Sequence, residues 1–174
     1  MSKASKTLKM LESTASNGDA ARLLVLTTIN VNFVSASCAC IQRARAGFKL
    51  DGGASEFMQS VQTNMDAAAA NLDSVKQRLA AADAEGVLTQ TLNAGCAIGI
   101  AQNGLKAVLD IVNIGDDQPL LSTTVQSMIV HAGVAAKMVQ DIVDSLNVCS
   151  TARTMLAMRS VREDQDAPHA RRSL

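Results

Sequence analysis

Apolar residues recur through the last third of the chain at alternating spacings of four and three: Leu121, Val125, Met128, Ala132, Ala135, Val139, Ile142, Leu146 and Cys149. That period lays them along one face of a long helix, and such a stripe needs another helix to cover it. An earlier stripe, Ala54, Met58, Val61, Met65, Ala68, Leu72, Val75, Leu79 and Ala82, has the same spacing and supplies a partner. The first stripe predicts a helix from Leu120 to Val161 and the second a helix from Ser55 to Ala84. Ile129, Ala136 and Val143 widen the apolar face of the later helix beyond a two-stranded seam, so it is expected to touch other helices on more than one side.

Two further helices complete the pattern. Leu23 to Gln42 is a run without a formal charge, bounded by Arg22 and Arg43, with Asp19 placed to cap it and Asp51-Gly52-Gly53 to end the segment in a turn. Its length suits a bilayer span, but Thr27, Thr28, Asn30, Asn32, Ser35, Ser37 and Gln42 favour a helix buried in an assembly. Gly86 marks a break, and Val87 to Ile114 reads as a third helical region in which Gly95, Gly99 and Gly104 make the segment adaptable. Gly115-Asp116-Asp117-Gln118-Pro119 is the clearest turn, with Pro119 just ahead of the last helix.

The expected fold class is all-α: a long-helix bundle or coiled coil with an apolar N-terminal helix and a C-terminal helix of roughly 40 residues. The expected organisation is a flexible N-terminus over 1–18, a helical domain over 19–161 and a charged tail over 162–174. The start lacks the apolar run and cleavage site of a signal peptide, so export by the general secretory route is not indicated.

Composition agrees with helices packed over small side chains. Among 174 residues, 48% are hydrophobic, yet there are only three Phe, no Tyr and no Trp, so Ala, Leu, Val, Ile and Met must fill the core. Only two Pro interrupt the chain. The net charge is zero but unevenly spread: residues 1–50 hold seven Lys or Arg against two acids, and residues 51–118 hold three against nine. Contact between a basic and an acidic segment, within a chain or between copies, is therefore favoured. A nucleic-acid partner is disfavoured, because there is neither a dense basic patch nor an aromatic stacking platform.

Candidate chemistry is sparse. Cys38, Cys40, Cys96 and Cys149 lack Cys-x-x-Cys spacing and read as small hydrophobes in a reducing compartment. No Gly-x-Ser-x-Gly elbow, P-loop or dinucleotide fingerprint occurs. Neither His131 nor His169 follows a Glu at the spacing of a di-iron bundle. His131 reads as a partly exposed helix residue, and Asp141 and Asp144 as a solvated face or a contact between subunits. No catalytic residue, metal site or cofactor is expected.

The stretch Ser145-Leu146-Asn147-Val148-Cys149-Ser150-Thr151-Ala152-Arg153 resembles the C-terminal helix of type III secretion filament subunits of the EspA kind, which carry a comparable leucine-asparagine, apolar, Ser/Thr and alanine-arginine run. The order of an apolar N-terminal helix, a polar helical middle and a long C-terminal helix is similar too. The resemblance implies a secreted structural subunit that polymerises into a hollow extracellular sheath between secretion needle and translocation pore. It also implies a dedicated chaperone before export, and no catalysis. The four Cys depart from it, since exposed thiols are a liability in an extracellular polymer, and the charged tail after Arg162 has no counterpart in it. The residues expected to carry packing and self-assembly are Leu23, Leu24, Leu26, Ile29 and Phe33 together with the stripe from Leu121 to Cys149. Two other readings compete: a cytoplasmic helical adaptor or secretion-associated binding protein whose groove takes one partner helix, and a membrane-active protein using Leu23 to Gln42 with the Gly95 to Gly104 region.

Overall fold

The structure is a computed structural model. It describes the backbone of residues 3–48, 50, 52–81, 83–114 and 118–166, and side chains at 22 and over 24–147, apart from 46, 49, 51, 79, 80, 82, 84 and 115–117. The described residues are all-helical: α1 Lys3–Arg43, the single turn α2 Arg45–Phe48, α3 Gly52–Ala80, α4 Ala84–Ile114 and α5 Pro119–Asp166. The connections are short, which makes successive long helices antiparallel neighbours. The four long helices close a ring in which α1 packs on α3, α3 on α4, α4 on α5 and α5 back on α1. The core inside the ring is formed from one row of each helix, with Val34, Met65, Ile98 and Met128 fully buried.

Both heptad stripes line this core. Met58, Val61, Met65, Ala68 and Leu72 of α3 are buried, as are Leu121, Val125, Met128, Ala132 and Ala135 of α5. Leu79, Ala82 and Cys149, also assigned to these stripes, lie outside the described side chains. The two buried hydroxyls do not disturb the apolar interior, because each is held: Thr91 donates to the Val87 carbonyl at 2.7 Å, and Thr27 also has a partner.

Element boundaries differ from the sequence reading in three places. First, α1 is continuous from Lys3 instead of starting near Asp19. Ser16-Asn17-Gly18 lowers helix propensity, the glycine by about 1 kcal/mol, but contains no proline to forbid the helix. Second, α3 ends at Ala80 and α4 begins at Ala84, so the break lies ahead of Gly86. Asp83 is the N-cap: its Oδ1 accepts the Gly86 backbone N–H at 2.9 Å while Oδ2 pairs with Arg78. The Gly86 hydrogen bond, and then Arg78, hold the Asp83 carboxyl below the usual carboxylate range. A Cβ at position 86 would meet only the ends of the exposed Asp83 and Arg78 side chains, which can swing aside. Third, α5 is helical as far as Asp166, past the expected end at Val161. Residues 167–174 of the expected tail lie outside the described residues.

The glycines of α4 divide by what surrounds them. A Cβ at Gly104 would lie 2.8 Å from Val61 Cγ2, and one at Gly95 would lie 2.9 Å from Val139 Cγ1, so both sit under stiff β-branched side chains of neighbouring helices. Gly99 has nothing within 4 Å of a built Cβ. Gly99→Ala is accordingly expected to stabilise the fold by about 0.5–1 kcal/mol, the helix-propensity gain alone. Gly104→Ala is expected to destabilise it, since about 1–3 kcal/mol of overpacking outweighs that gain. Urea midpoints followed by circular dichroism check both signs.

The helices are unequal in length. At 1.5 Å per residue, the 29 residues of α3 span roughly 44 Å and the 31 of α4 roughly 47 Å. The 41 residues of α1 span roughly 62 Å and the 48 of α5 roughly 72 Å. The helices at the two ends of the described chain are thus longer than the two they enclose.

Candidate interaction surface

The residues expected to drive self-assembly divide between two faces. Leu24, Leu121, Val125, Met128, Ala132, Ala135, Val139 and Ile142 are buried inside the chain's own bundle, and Leu146 is half-buried against it. Leu26, Ile29 and Phe33 face outward, with Ile29 59% exposed. The side chains of Leu23 and Cys149 lie outside those described. The α5 stripe from Leu121 to Ile142 is therefore occupied within one chain, and a surface for other copies must be made from other residues.

The outward face of α1 has its own period. Arg22, Leu26, Ile29, Phe33, Ala36 and Cys40 are all exposed and follow one another at spacings of four and three. The buried row of the same helix, Leu24, Thr27, Val31, Val34, Cys38 and Ile41, follows the complementary register on the opposite side. α1 therefore carries two seven-residue rows, of which the bundle uses one. Beside the outer row, Val130 and Val134 of α5 are also exposed, and α4 exposes Leu92 and Ile100 on its own outer side. These four were missed by sequence reasoning that followed only the dominant stripe. Their signal was the lack of charge: no Asp, Glu, Lys or Arg occurs from Pro119 to Ala136 or from Val87 to Leu105.

Polar contacts position the helices under this face. At the α1–α5 seam, Asn30 Nδ2 donates to the Leu26 carbonyl at 2.9 Å, which leaves Asn30 Oδ1 to accept from His131 Nδ1 at 2.8 Å. Phe33 stands against the His131 ring with centroids 4.3 Å apart. Asn30 Nδ2 also lies 3.9 Å from Met138 Sδ. His131 thus meets an amide and an aromatic ring in its described contacts, which orient it as a helix-to-helix tie. At the α1–α3 seam, Ser35 donates to Asp66 at 2.8 Å, and Gln62 donates to Ser35 at 2.7 Å and to Asp66 at 2.8 Å. Asp144, considered in the sequence as part of a carboxylate pair, accepts from Gln140 at 2.9 Å. Among the described residues, no group of three or more His, Cys, Asp or Glu could hold a metal ion.

The described thiols have contrasting settings. Cys38 is in the core, and burial, with a smaller contribution from Asp66, pushes its thiol up to about 12. Cys40 and Cys96 are exposed, and all three are free. Because the thiolate is the reactive form, a maleimide at neutral pH is expected to label Cys40 and Cys96 in the folded chain and Cys38 only after denaturation. Peptide mass spectrometry of the native and urea-treated protein checks this.

Two helices of the bundle, over Leu24–Arg43 and Glu85–Ile114, are long and apolar enough to cross a membrane. No family profile, curated protein or solved structure matches the chain.

Proposed function

We propose that this chain is a structural subunit that self-associates by helix packing into a filament or sheath. The observation that carries this reading is the outer face of α1, where Leu26, Ile29 and Phe33 stay exposed at heptad spacing although the opposite face already completes a core. Exposed apolar side chains scattered singly are ordinary on any protein. A row in register along one helix is the pattern by which helices recognise helices. The setting implied by the type III secretion resemblance is a secreted extracellular appendage, reached with a dedicated chaperone, in which the protein performs no catalysis. In that setting α1 and α5, which outreach α3 and α4, pair as a coiled coil beyond the four-helix bundle.

Electron microscopy of the purified chain across a concentration series, in reducing buffer and alongside light scattering, tests the reading. Filaments of uniform width, with mass rising with concentration, are the expected result. A monodisperse monomer at every concentration would overturn it. The spans over Leu24–Arg43 and Glu85–Ile114 support a second reading, insertion into lipid. Flotation with anionic liposomes separates the two, since an assembling subunit stays at the bottom of the gradient.

A further inference from the structure

We infer that the outer row of α1 docks on the outer face of α3 of a second copy, in a head-to-tail contact; this rests on the self-association reading above. Three observations select that occupant. The first is charge. The α1 row is bracketed by exposed Arg22 and Arg43 with no charged residue between them, whereas the described part of α3 exposes Glu56 and Asp73 ahead of its two cations, Lys76 and Arg78, its remaining carboxylate Asp66 being held by Ser35 of the chain's own α1. Pairing α1 with α1 of another copy sets like charges together, Arg22 against Arg43 when antiparallel and each arginine against itself when parallel. Pairing α1 with α3 sets arginine against carboxylate.

The second is period and size. The exposed residues Glu56, Ser60, Thr63, Ala67 and Ala70 of α3 follow the same alternation of four and three as Arg22, Leu26, Ile29, Phe33 and Ala36 of α1. One row has large apolar side chains and the other small ones, so that knobs from α1 find room on α3. In antiparallel register Leu26 meets Ala70, Ile29 meets Ala67, Phe33 meets Thr63 and Ala36 meets Ser60. Arg22 then falls beside Asp73, whose existing partner is the exposed Lys76 at 2.7 Å, and Arg43 falls within one helical turn of Glu56.

The third is symmetry. α1 and α3 are different faces of one bundle and run antiparallel within it. Copies related by rotation and translation along the bundle axis keep their direction, so α1 of one copy meets α3 of the next antiparallel. A heterologous contact of this kind leaves a free face at each end and propagates, whereas an isologous α1–α1 contact stops at a dimer.

Mixed disulfide trapping tests the inference in full-length chains with Cys40→Ser, Cys96→Ser and Cys149→Ser. One chain adds Ala36→Cys and the other, enlarged by a tag, adds Ser60→Cys. After mixing and mild oxidation, the expected product is the disulfide between tagged and untagged chains, with Ala36→Cys against Ala70→Cys giving little because position 70 lies about 15 Å along the helix. Charge reversal gives a second readout. Arg22→Glu with Arg43→Glu, or Glu56→Arg with Asp73→Arg, is expected to weaken association at least tenfold at low salt, and all four together to restore it. Self-association that persists without the 36–60 product and without response to charge reversal would overturn this contact while leaving the self-association reading standing. Absence of self-association in the parent chain would overturn both.

Discussion

Val139→Asp is expected to leave the chain without a cooperative native state. Val139 is 4% exposed, and its Cγ1 lies where a Cβ on Gly95 would come within 2.9 Å, so there is no route to water without separating α4 from α5. No charged residue occurs on α4 between Val87 and Leu105 to pair with a new carboxylate. An unpaired buried charge costs about 3–5 kcal/mol, and the lost valine burial adds about 1.5–3 kcal/mol. Together these reach the ~5–15 kcal/mol net stability of an ordinary domain. Loss of the far-ultraviolet helical signal, or a urea transition that becomes shallow and early, is the readout. A native-like midpoint would mean that the α4–α5 contact at Gly95 is absent in solution. A milder experiment probes the same contact: Val139→Ala and Gly95→Ala are each expected to destabilise, and the double variant to cost less than their sum, because the new methyl at 95 enters the space vacated at 139.

Position 139 was legible in the sequence because the α5 stripe is strongly apolar on one side only, and so was the all-helical fold. The α3 stripe was legible for the same reason, since Glu56, Asp66, Asp73 and Lys76 mark its outer side. α1 was harder to read. Its charge-free run offers two interleaved apolar rows, and periodicity alone does not say which one the bundle covers. Leu26, Ile29 and Phe33 were therefore grouped with Leu24, although the helix turns Leu24 inward and the other three outward. The break assigned to Gly86 failed for a local reason. The cap is Asp83, which accepts the Gly86 N–H, so Gly86 lies in the first turn of α4 and not at the end of a helix. Likewise the glycines of α4 looked alike in sequence but differ in structure, two lying under Val61 and Val139 and Gly99 under nothing. Such distinctions depend on which neighbour stands opposite, which a single sequence does not encode locally.

Ile29→Asp separates folding from association. At 59% exposed, Ile29 leaves room for an aspartate to keep its carboxylate in water, and surface substitutions of this kind usually change stability by no more than about 0.5 kcal/mol. The helical signal and urea midpoint are expected to stay close to those of the parent. In an assembly the same side chain enters an apolar contact between helices, where burying an unpaired carboxylate costs about 3 kcal/mol or more. That corresponds to a loss on the order of a hundredfold in association constant, enough to remove filaments at concentrations where the parent forms them. The companion variant Asn103→Asp, exposed on α4, which lies across the ring from α1, controls for added negative charge and should assemble like the parent. If Ile29→Asp folds and assembles unchanged while Val139→Asp unfolds, the outer row of α1 is an ordinary exposed surface, and the contact between copies has to be sought around Val130 and Val134 or along Leu92 and Ile100. If Ile29→Asp instead unfolds the monomer, the row taken here as outer is part of the core, and the assignment of faces on α1 is reversed.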